Sequence, residues 1–375
     1  MDLSEIRVQL DGIDSQIVDL YEKRMDLCAQ VAEFKIKTGK RVFDKEREEQ
    51  KLNAVSELTH NDFNAQGIRE LFEHIMSISR KLQYQKISES GNAGKLPFLE
   101  MEEIDYNKCR VVFQGAEGAY SQAAMMKYFG DEVNCFNVNT FRDAMLAIDE
   151  GSADFAVLPI ENSSAGIVSE IYDLLVEFEN FIVGEQIIKI EHCLMATPGT
   201  RIEDITTVYS HPQSLMQSSH YLYEKGWQQI SMKNNAFAAA KVAEDKASNQ
   251  AAIAGEAAAK IYGLEILEKG VNDLKDNSTR FIIVTSQKVY SKKAQKISLS
   301  FEINKDESGA LYHVLSHLMY NGLNMTKIES RPLEGRNWEY RFFMDFEGNL
   351  EDSAVKNALR GLREETKNMK ILGNY

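Results

Sequence analysis

The sequence predicts a multidomain chain that is all-α at its start, α/β through its middle and α+β at its end. Three observations predict this. A hydrophobic stripe with a 3.5-residue period runs through the first 35 residues. Short apolar runs then alternate with helical stretches. The last 79 residues read strand, helix, strand, strand, helix, strand. A length of 375 residues is enough for two to three domains.

The first helix has a capping box in Asp2 and Glu5 and a stop at Thr38-Gly39. Between them Ile6, Leu10, Ile13, Ile17, Leu20, Arg24, Leu27, Val31 and Phe34 follow one another in steps of four and three. That spacing specifies a long helix packed as in a coiled coil. A second helix opens at Asp44 and carries Leu52, Val55 and Leu58. A third carries Ile68, Leu71, Phe72, Ile75, Ile78 and Leu82. These make a helical domain of residues 1–88. Residues 89–108 are polar, contain Gly91, Gly94 and Pro97, and read as a linker. In 109–286, strands are expected at 111–113, 155–160, 181–183, 207–209, 251–254 and 281–285, with helices at 122–129, 141–149 and 236–246. The alanine-rich stretch 236–259 reads as two helices. The final domain, 297–375, has the ferredoxin-like βαββαβ order.

Composition excludes several classes of function. With 43 Lys+Arg against 57 Asp+Glu the chain carries a charge of −14, which opposes nucleic-acid binding. Cys28, Cys109, Cys135 and Cys193 have neither zinc-ligand nor disulfide-scaffold spacing. No apolar run is long enough to span a membrane, and Asp2, Glu5 and Arg7 do not suit a signal peptide. A cytoplasmic protein is expected.

Arg24 breaks the apolar stripe. A guanidinium buried among leucines costs several kcal/mol unless it is paired or meets an anion. Lys35 lies 11 residues on, about 20° away on the same face and about 16 Å along the helix. Arg7 shares the heptad position of Lys35 but lies about 42 Å from it. If both serve one small ligand, Arg7 comes from a second subunit with the long helices antiparallel. Asp44, Arg47 and Glu48 share one face of the second helix, and Ser79 and Gln83 one face of the third. Spacing alone leaves a plainer arrangement open, with Arg24 paired to a glutamate, Asp44 only a cap, and Ser79 and Gln83 facing solvent. Cations, neutral donors and carboxylates without a nucleophile–base pair suit a dicarboxylate turned over by positioning and electrostatics.

This series resembles the all-helical chorismate mutase family. The resemblance implies rearrangement of chorismate to prephenate in a pocket shared by two subunits. It implies that Arg7 of the second subunit, Arg24 and Arg47 hold the carboxylates, and that Lys35 and Gln83 donate to the ether oxygen. Asp44 and Glu48 would position Lys35 and the ring hydroxyl, and Ser79 would orient the substrate.

Four loops stand out in the α/β segment. Residues 114–121, Gln-Gly-Ala-Glu-Gly-Ala-Tyr-Ser, form a weak anion loop without the GxGxxG order of dinucleotide folds. Residues 157–166 read as a buried strand ending at Ile160, then Glu161, Asn162, Ser163 and a helix start. Residues 209–213 (Tyr-Ser-His-Pro-Gln) repeat the arrangement, and 277–281 (Asn-Ser-Thr-Arg-Phe) lie at the entrance of a strand. His211 reads as a loop-shaping residue, and His192-Cys193 has no companions for a metal. The Pro-Ile-Glu-Asn and Thr-Arg-Phe segments resemble prephenate dehydratase. This implies a two-lobed, periplasmic-binding-protein-like domain that turns prephenate into phenylpyruvate with loss of water and CO2. Thr279 would be the proton donor, with Arg280 nearby and Glu161, Asn162, Ser163, Ser210 and Gln213 lining the pocket. Ala119 stands where that family usually has a hydroxyl.

The last domain resembles the ACT amino-acid-sensing module. Glu329, Ser330, Arg331 and Pro332 match one ligand-binding motif, and Gly309, Ala310 and Leu311 match another, with Tyr312 departing from it. L-phenylalanine is the implied effector. Without the resemblance, Arg331-Pro332 reads equally as the end of an edge strand. Taken together the chain resembles the bifunctional chorismate mutase/prephenate dehydratase family, which implies a homodimer or higher homo-oligomer and no metal or organic cofactor. A dehydratase preferring arogenate, or a non-catalytic phenylalanine-responsive regulator, remains an alternative.

Overall fold

The computed structural model describes residues 2–90, 96–303 and 309–375, leaving aside the side chain of Ser88. Gly91 and Gly94 of the expected linker lie outside the described residues. Two compact units form: Met1–Pro97 with Gln295–Ile371, and Phe98–Ala294 with Leu372–Tyr375.

In the first unit α1 (Leu3–Thr38) is opened by the Asp2–Glu5 capping box and closed by Gly39 at φ 69°. Asp44 caps α2 (Lys45–Ser56) by accepting from the Arg47 N–H at 3.1 Å. α3 (Asp62–Glu89) is the helix on which both others pack. Ala32, Leu52, Val55, Met76 and Tyr84 are buried. The stripe of α1 is not: Ile13, Ile17, Leu20 and Leu27 are 52–65% exposed. Among the described residues of one chain, nothing covers the seam that the heptad spacing predicts.

The second unit begins with β1 (Leu99–Met101), a short strand in the expected linker, which pairs with a later strand, β13 (Val289–Ser291). Leu99 and Met101 alternate with Glu100, so this piece has strand period after all. There follow β2 (Arg110–Gln114), α4 (Tyr120–Phe129), β3 (Asn134–Val138), α5 (Phe141–Asp149), β4 (Phe155–Asn162), β5 (Gly166–Ile167), α6 (Ser169–Glu177) and β6 (Phe181–Lys189). The chain then crosses to a second lobe: β7 (Cys193–Ala196), β8 (Thr207–Ser210), α7 (Pro212–Gln217), α8 (Ser219–Lys225), β9 (Gln228–Ser231), α9 (Asn235–Asp245), β10 (Gln250–Ala254), α10 (Glu256–Tyr262) and β11 (Glu265–Lys269). It returns in β12 (Ser278–Thr285). The first lobe has strand order β6-β12-β4-β2-β3 and the second β11-β7-β10-β8-β9.

Val111, Phe113, Met125, Val157, Phe281 and Ile283 form the core of the first lobe. The second lobe is built on small side chains, with Ala238, Ala239, Ala252, Ala254, Ala258 and Ala259 packed around Met195 and Tyr209. The alanine-rich stretch holds the two expected helices, α9 and α10, on either side of the expected strand β10. Small side chains let α9 and α10 approach the sheet closely.

The C-terminal part of the first unit runs β14 (Lys296–Ile303), α11 (Ala310–Tyr320), β15 (Met325–Pro332), β16 (Tyr340–Glu347), α12 (Ser353–Glu365) and β17 (Thr366–Asn374). The sheet order β15-β16-β14-β17 with this connectivity is the ferredoxin-like topology. Both α11 and α12 pack on α3. Among the described residues no helix is long and apolar enough to cross a membrane, and no group of three or more His, Cys, Asp or Glu is placed to hold a metal ion.

Candidate functional site

On the helices several of the expected residues gather. Arg24 does not pair with a glutamate: its Nη1 donates to Ser79 Oγ at 2.7 Å. Ser79 and Gln83 are 4% and 6% exposed, so they do not face solvent. Gln83 Nε2 donates to the Ser79 carbonyl at 3.2 Å, which leaves its second N–H free, and its buried Oε1 has no hydrogen-bond partner. Lys35 Nζ donates to the Val42 carbonyl at 2.7 Å. Burial lowers the Lys35 pKa below the usual lysine range, while the charges of Asp44, Glu48 and Glu364 work against that shift. Arg7 and Arg47 are exposed.

Spacing did not single out Arg80. Its guanidinium, 7% exposed, pairs with Glu48, lies 3.3 Å from Glu365 and sits over the Phe43 ring. Burial disfavours its charge, and the Glu48 and Glu365 carboxylates more than offset this, raising its pKa. The signal was available. Met76, Arg80 and Tyr84 lie four residues apart on one buried face, so Arg80 interrupts an apolar row as Arg24 does. A cavity of about 1050 Å³ opens beside it, lined among others by Glu48, Arg69, Arg80, His313 and Glu364.

In the second unit the antiparallel register of β12 on β4 sets Thr279 opposite Asn162 and Arg280 opposite Glu161. Successive strand residues point to opposite faces, so these are two separate pairs. Asn162 Nδ2 donates to Thr279 Oγ1 at 2.9 Å and to Asn277 Oδ1 at 2.8 Å. Thr279 is 9% exposed. Arg280 instead donates to Glu185 at 2.7 Å and to the Tyr375 hydroxyl at 2.6 Å, and lies 3.8 Å from Glu161. Glu161 and Arg280 thus form an ion-paired couple beside the Asn162–Thr279 pair.

The loop after β4 also differs from the sequence expectation. The strand continues to Asn162, and β5 folds back on it before α6 begins at Ser169. The N-terminus of α6 therefore does not follow directly on these hydroxyls. Ser163 exchanges hydrogen bonds with Ser278, its N–H donating to the Ser278 carbonyl and its Oγ accepting from the Ser278 N–H, both at 2.9 Å. Ser210 is fully buried and donates to the Ile253 carbonyl at 2.6 Å and to Asn235 at 3.1 Å. That is a structural position beneath the loop rather than on its surface. His211 does shape its loop: it caps α7, and its Nδ1 accepts from the Gln213 N–H at 3.2 Å. Burial lowers its pKa.

Sequence reasoning missed Gln217, which ties the two lobes together. Its Nε2 donates to Ser164 Oγ at 2.7 Å and lies 3.4 Å from Asn162 Oδ1, while its Oε1 is 3.0 Å from His192 Nε2. His192 Nδ1 lies 3.0 Å from the Tyr120 hydroxyl. Burial lowers the His192 pKa, with the Gln217 hydrogen bond opposing it. A continuous polar row thus runs from Tyr120 through His192, Gln217 and Asn162 to Thr279. Ala119 takes the N-cap position of α4 without a side-chain bond.

In the C-terminal module Gly309 caps α11 with φ 79°, ahead of Ala310 and Leu311. Glu329, Ser330, Arg331 and Pro332 end β15, an edge strand, in register with Phe343, Phe342, Arg341 and Tyr340. Tyr312 is 54% exposed.

Residues 6–84 match the family model of chorismate mutase type II, and residues 111–289 match that of prephenate dehydratase. The whole chain is 31% identical to the bifunctional chorismate mutase/prephenate dehydratase of Escherichia coli (strain K12), covering 96% of it. Among solved structures, the prephenate dehydratase from Arthrobacter aurescens, in complex with L-Phe, is 30% identical with a TM-score of 0.66, over 71% of this chain and 89% of that one. A chain described as a novel type of quorum-quenching acylase is 35% identical with a TM-score of 0.64, over 71% of this chain and 97% of that one. With both domain models matched in order and full-length relatives above 30% identity, this chain belongs to the bifunctional chorismate mutase/prephenate dehydratase family.

Proposed function

We propose that the two reactions of the family run at two separate places in this chain, and that the clusters described above carry them. At the helices, chorismate is gripped through its carboxylates by Arg24, by Arg47 and by Arg7 of a second subunit. As the ether C–O bond breaks, negative charge grows on oxygen, and the Lys35 ammonium and the free N–H of Gln83 stabilise it. Asp44 and Glu48 keep Lys35 charged and orient the ring hydroxyl, and Ser79 holds Arg24 in place. The partner subunit lays its own α1 stripe on the exposed stripe of this one, which makes a homodimer the working form.

At the dehydratase cluster, Thr279 protonates the departing ring hydroxyl while CO2 leaves and the ring becomes aromatic. A free threonine is a poor acid. Here the Asn162 amide donates to its oxygen, which leaves the hydroxyl proton free to point at substrate and polarises it. Glu161, Ser163, Gln213 and Gln217 complete the polar wall, with Arg280 nearby. Neither reaction calls for a cofactor.

The C-terminal module, residues 297–375, acts as an ACT domain taking L-phenylalanine at Gly309, Ala310 and Leu311 and at Glu329, Ser330, Arg331 and Pro332. The L-Phe complex of the similar dehydratase supports this choice of effector. The enzyme works in the cytoplasm, where both substrates are made and used.

The observation that carries this reading is the pair of inward-turned polar clusters, Arg24–Ser79 and Asn162–Thr279, lying in separate units. A time course from chorismate that follows prephenate and phenylpyruvate, with and without L-phenylalanine, tests it. Both products should form in sequence and both rates should fall with the effector. Turnover on arogenate against prephenate identifies the preferred substrate of the second step.

A further inference from the structure

We propose that Glu364 and Glu365, the last two residues of α12, are positioning residues of the mutase reaction, the first acting on Lys35 through the Val42–Phe43 peptide and the second on Glu48 through Arg80. The inference rests on the mutase roles given above to Lys35 and Glu48, and extends the site into the C-terminal module.

Two bonded chains lead from α12 into the helical cluster. In the first, Lys35 Nζ donates to the Val42 carbonyl at 2.7 Å, and the N–H of the same peptide group, on Phe43, donates to Glu364 Oε2 at 3.0 Å. The Tyr84 hydroxyl donates to that oxygen at 2.6 Å. A carboxylate at the N–H end of a peptide polarises the carbonyl at its other end, so Glu364 strengthens the acceptor that holds Lys35. It also fixes the loop between α1 and α2.

In the second chain, Arg80 is shared between Glu48 and Glu365, the latter at 3.3 Å, and His317 Nε2 lies 3.0 Å from the same Glu365 oxygen. A Cβ at Gly361 would run into the His317 ring, so glycine at this position lets α11 and α12 close on each other and brings His317 to Glu365. The Arg80 guanidinium hydrogen-bonds Glu48 and lies 3.3 Å from Glu365, so the Glu365 charge draws it partly back from Glu48, and that counter-pull is lost with the carboxylate. Losing Glu365 would therefore tie Glu48 to Arg80 and pull it away from substrate.

The titratable groups facing Lys35 are Cys28 on its own helix, Asp44 and Glu48 at the start of α2, and Glu364 from α12. Each of these favours the protonated lysine against the effect of burial. Removing the Glu364 charge lowers the Lys35 pKa further, and the cation is then lost at lower pH.

The test is steady-state mutase kinetics across pH on the full chain carrying Glu364→Gln or Glu365→Gln, with turnover of added prephenate as the measure of an intact fold. Glutamine at 364 keeps an oxygen for Phe43 and Tyr84 and removes only the charge. The alkaline limb of mutase kcat should then move down by about half a pH unit or more. Glu365→Gln should lower mutase kcat about tenfold with KM changed far less, and Glu365→Asp should recover part of the loss. Prephenate turnover should stay at the wild-type rate in all three variants. Unchanged mutase kcat and an unmoved alkaline limb in both glutamine variants would overturn the proposal. Equal loss of both activities would mark the carboxylates as purely structural and overturn it too. The underlying reading fails separately, if Lys35→Gln or Glu48→Gln keeps full mutase activity.

Discussion

On the helices the polar cluster is gathered from α1, α2 and α3, beside an apolar stripe of α1 that a single chain leaves in water. Arg7 and Arg47 are exposed there. In the α/β unit the cluster lies on paired strands, and Gln217 reaches across from the second lobe to complete it. One chain supplies every member of the second cluster, whereas the first is open on the side where the stripe is bare. The chemistry follows the same division. Sigmatropic rearrangement needs charges gripping a flexible dianion, and a helix surface presents long cationic side chains well. Loss of water and CO2 needs one proton delivered at one atom, and strand register fixes Thr279 against Asn162 with little freedom.

The sharpest way to break this comparison is to disable each cluster alone. Thr279→Ala should lower dehydration of prephenate by about 10²–10⁴-fold while chorismate is still consumed, so prephenate accumulates. Undiminished phenylpyruvate would remove Thr279 from the mechanism. Arg24→Ala should lower mutase kcat/KM by about 10²–10³-fold and leave added prephenate dehydrated at the normal rate. Retained mutase activity would return Arg24 to an ordinary coiled-coil role.

A smaller, concentration-dependent effect separates the two regions by their need for a partner. Leu20→Glu places a charge on the bare stripe, and mutase activity should then fall steeply on dilution while prephenate turnover per chain is retained. Light scattering on the same samples would report the loss of dimer; a monomer with full mutase activity would contradict the shared-pocket reading. Smallest of all, Gln217→Ala removes the tie between lobes and should cost about tenfold in dehydratase kcat/KM with no change in mutase rate, measured on prephenate alone.

Much of the fold was legible because period and turn chemistry agree locally. The capping box at Asp2, the stop at Gly39 and the Asp44 cap bound their helices as the residues predict. The strands that escaped notice have physical reasons to do so. β3, β9 and β11 are sheet edges whose residues are largely exposed, so no apolar run marks them. β7, Cys-Leu-Met-Ala, is fully buried and too short for periodicity to separate strand from helix. For the site, spacing found Arg24 and Lys35 along α1 and Ser79 and Gln83 along α3. It did not single out Arg80, although the same test of a cation in an apolar row applied. It had no means of finding Glu364 and Glu365, whose partners in the cluster lie from 280 to 321 residues away in the chain. Likewise Gln217 gains its meaning only when the second lobe is folded over β4. Long-range partners are set by tertiary packing, and no local pattern encodes them.

The division between a site shared by two chains and a site owned by one can be tested by complementation. Arg7→Ala and Arg24→Ala variants, each inactive as a mutase, are mixed and allowed to exchange subunits. A mixed dimer then has one pocket with both arginines and one with neither, so random exchange should restore mutase activity to about a quarter of the wild-type value. Recovery at that level, with dehydratase activity constant throughout, is the predicted result. A mixture that stays inactive after subunit exchange has been verified would contradict it.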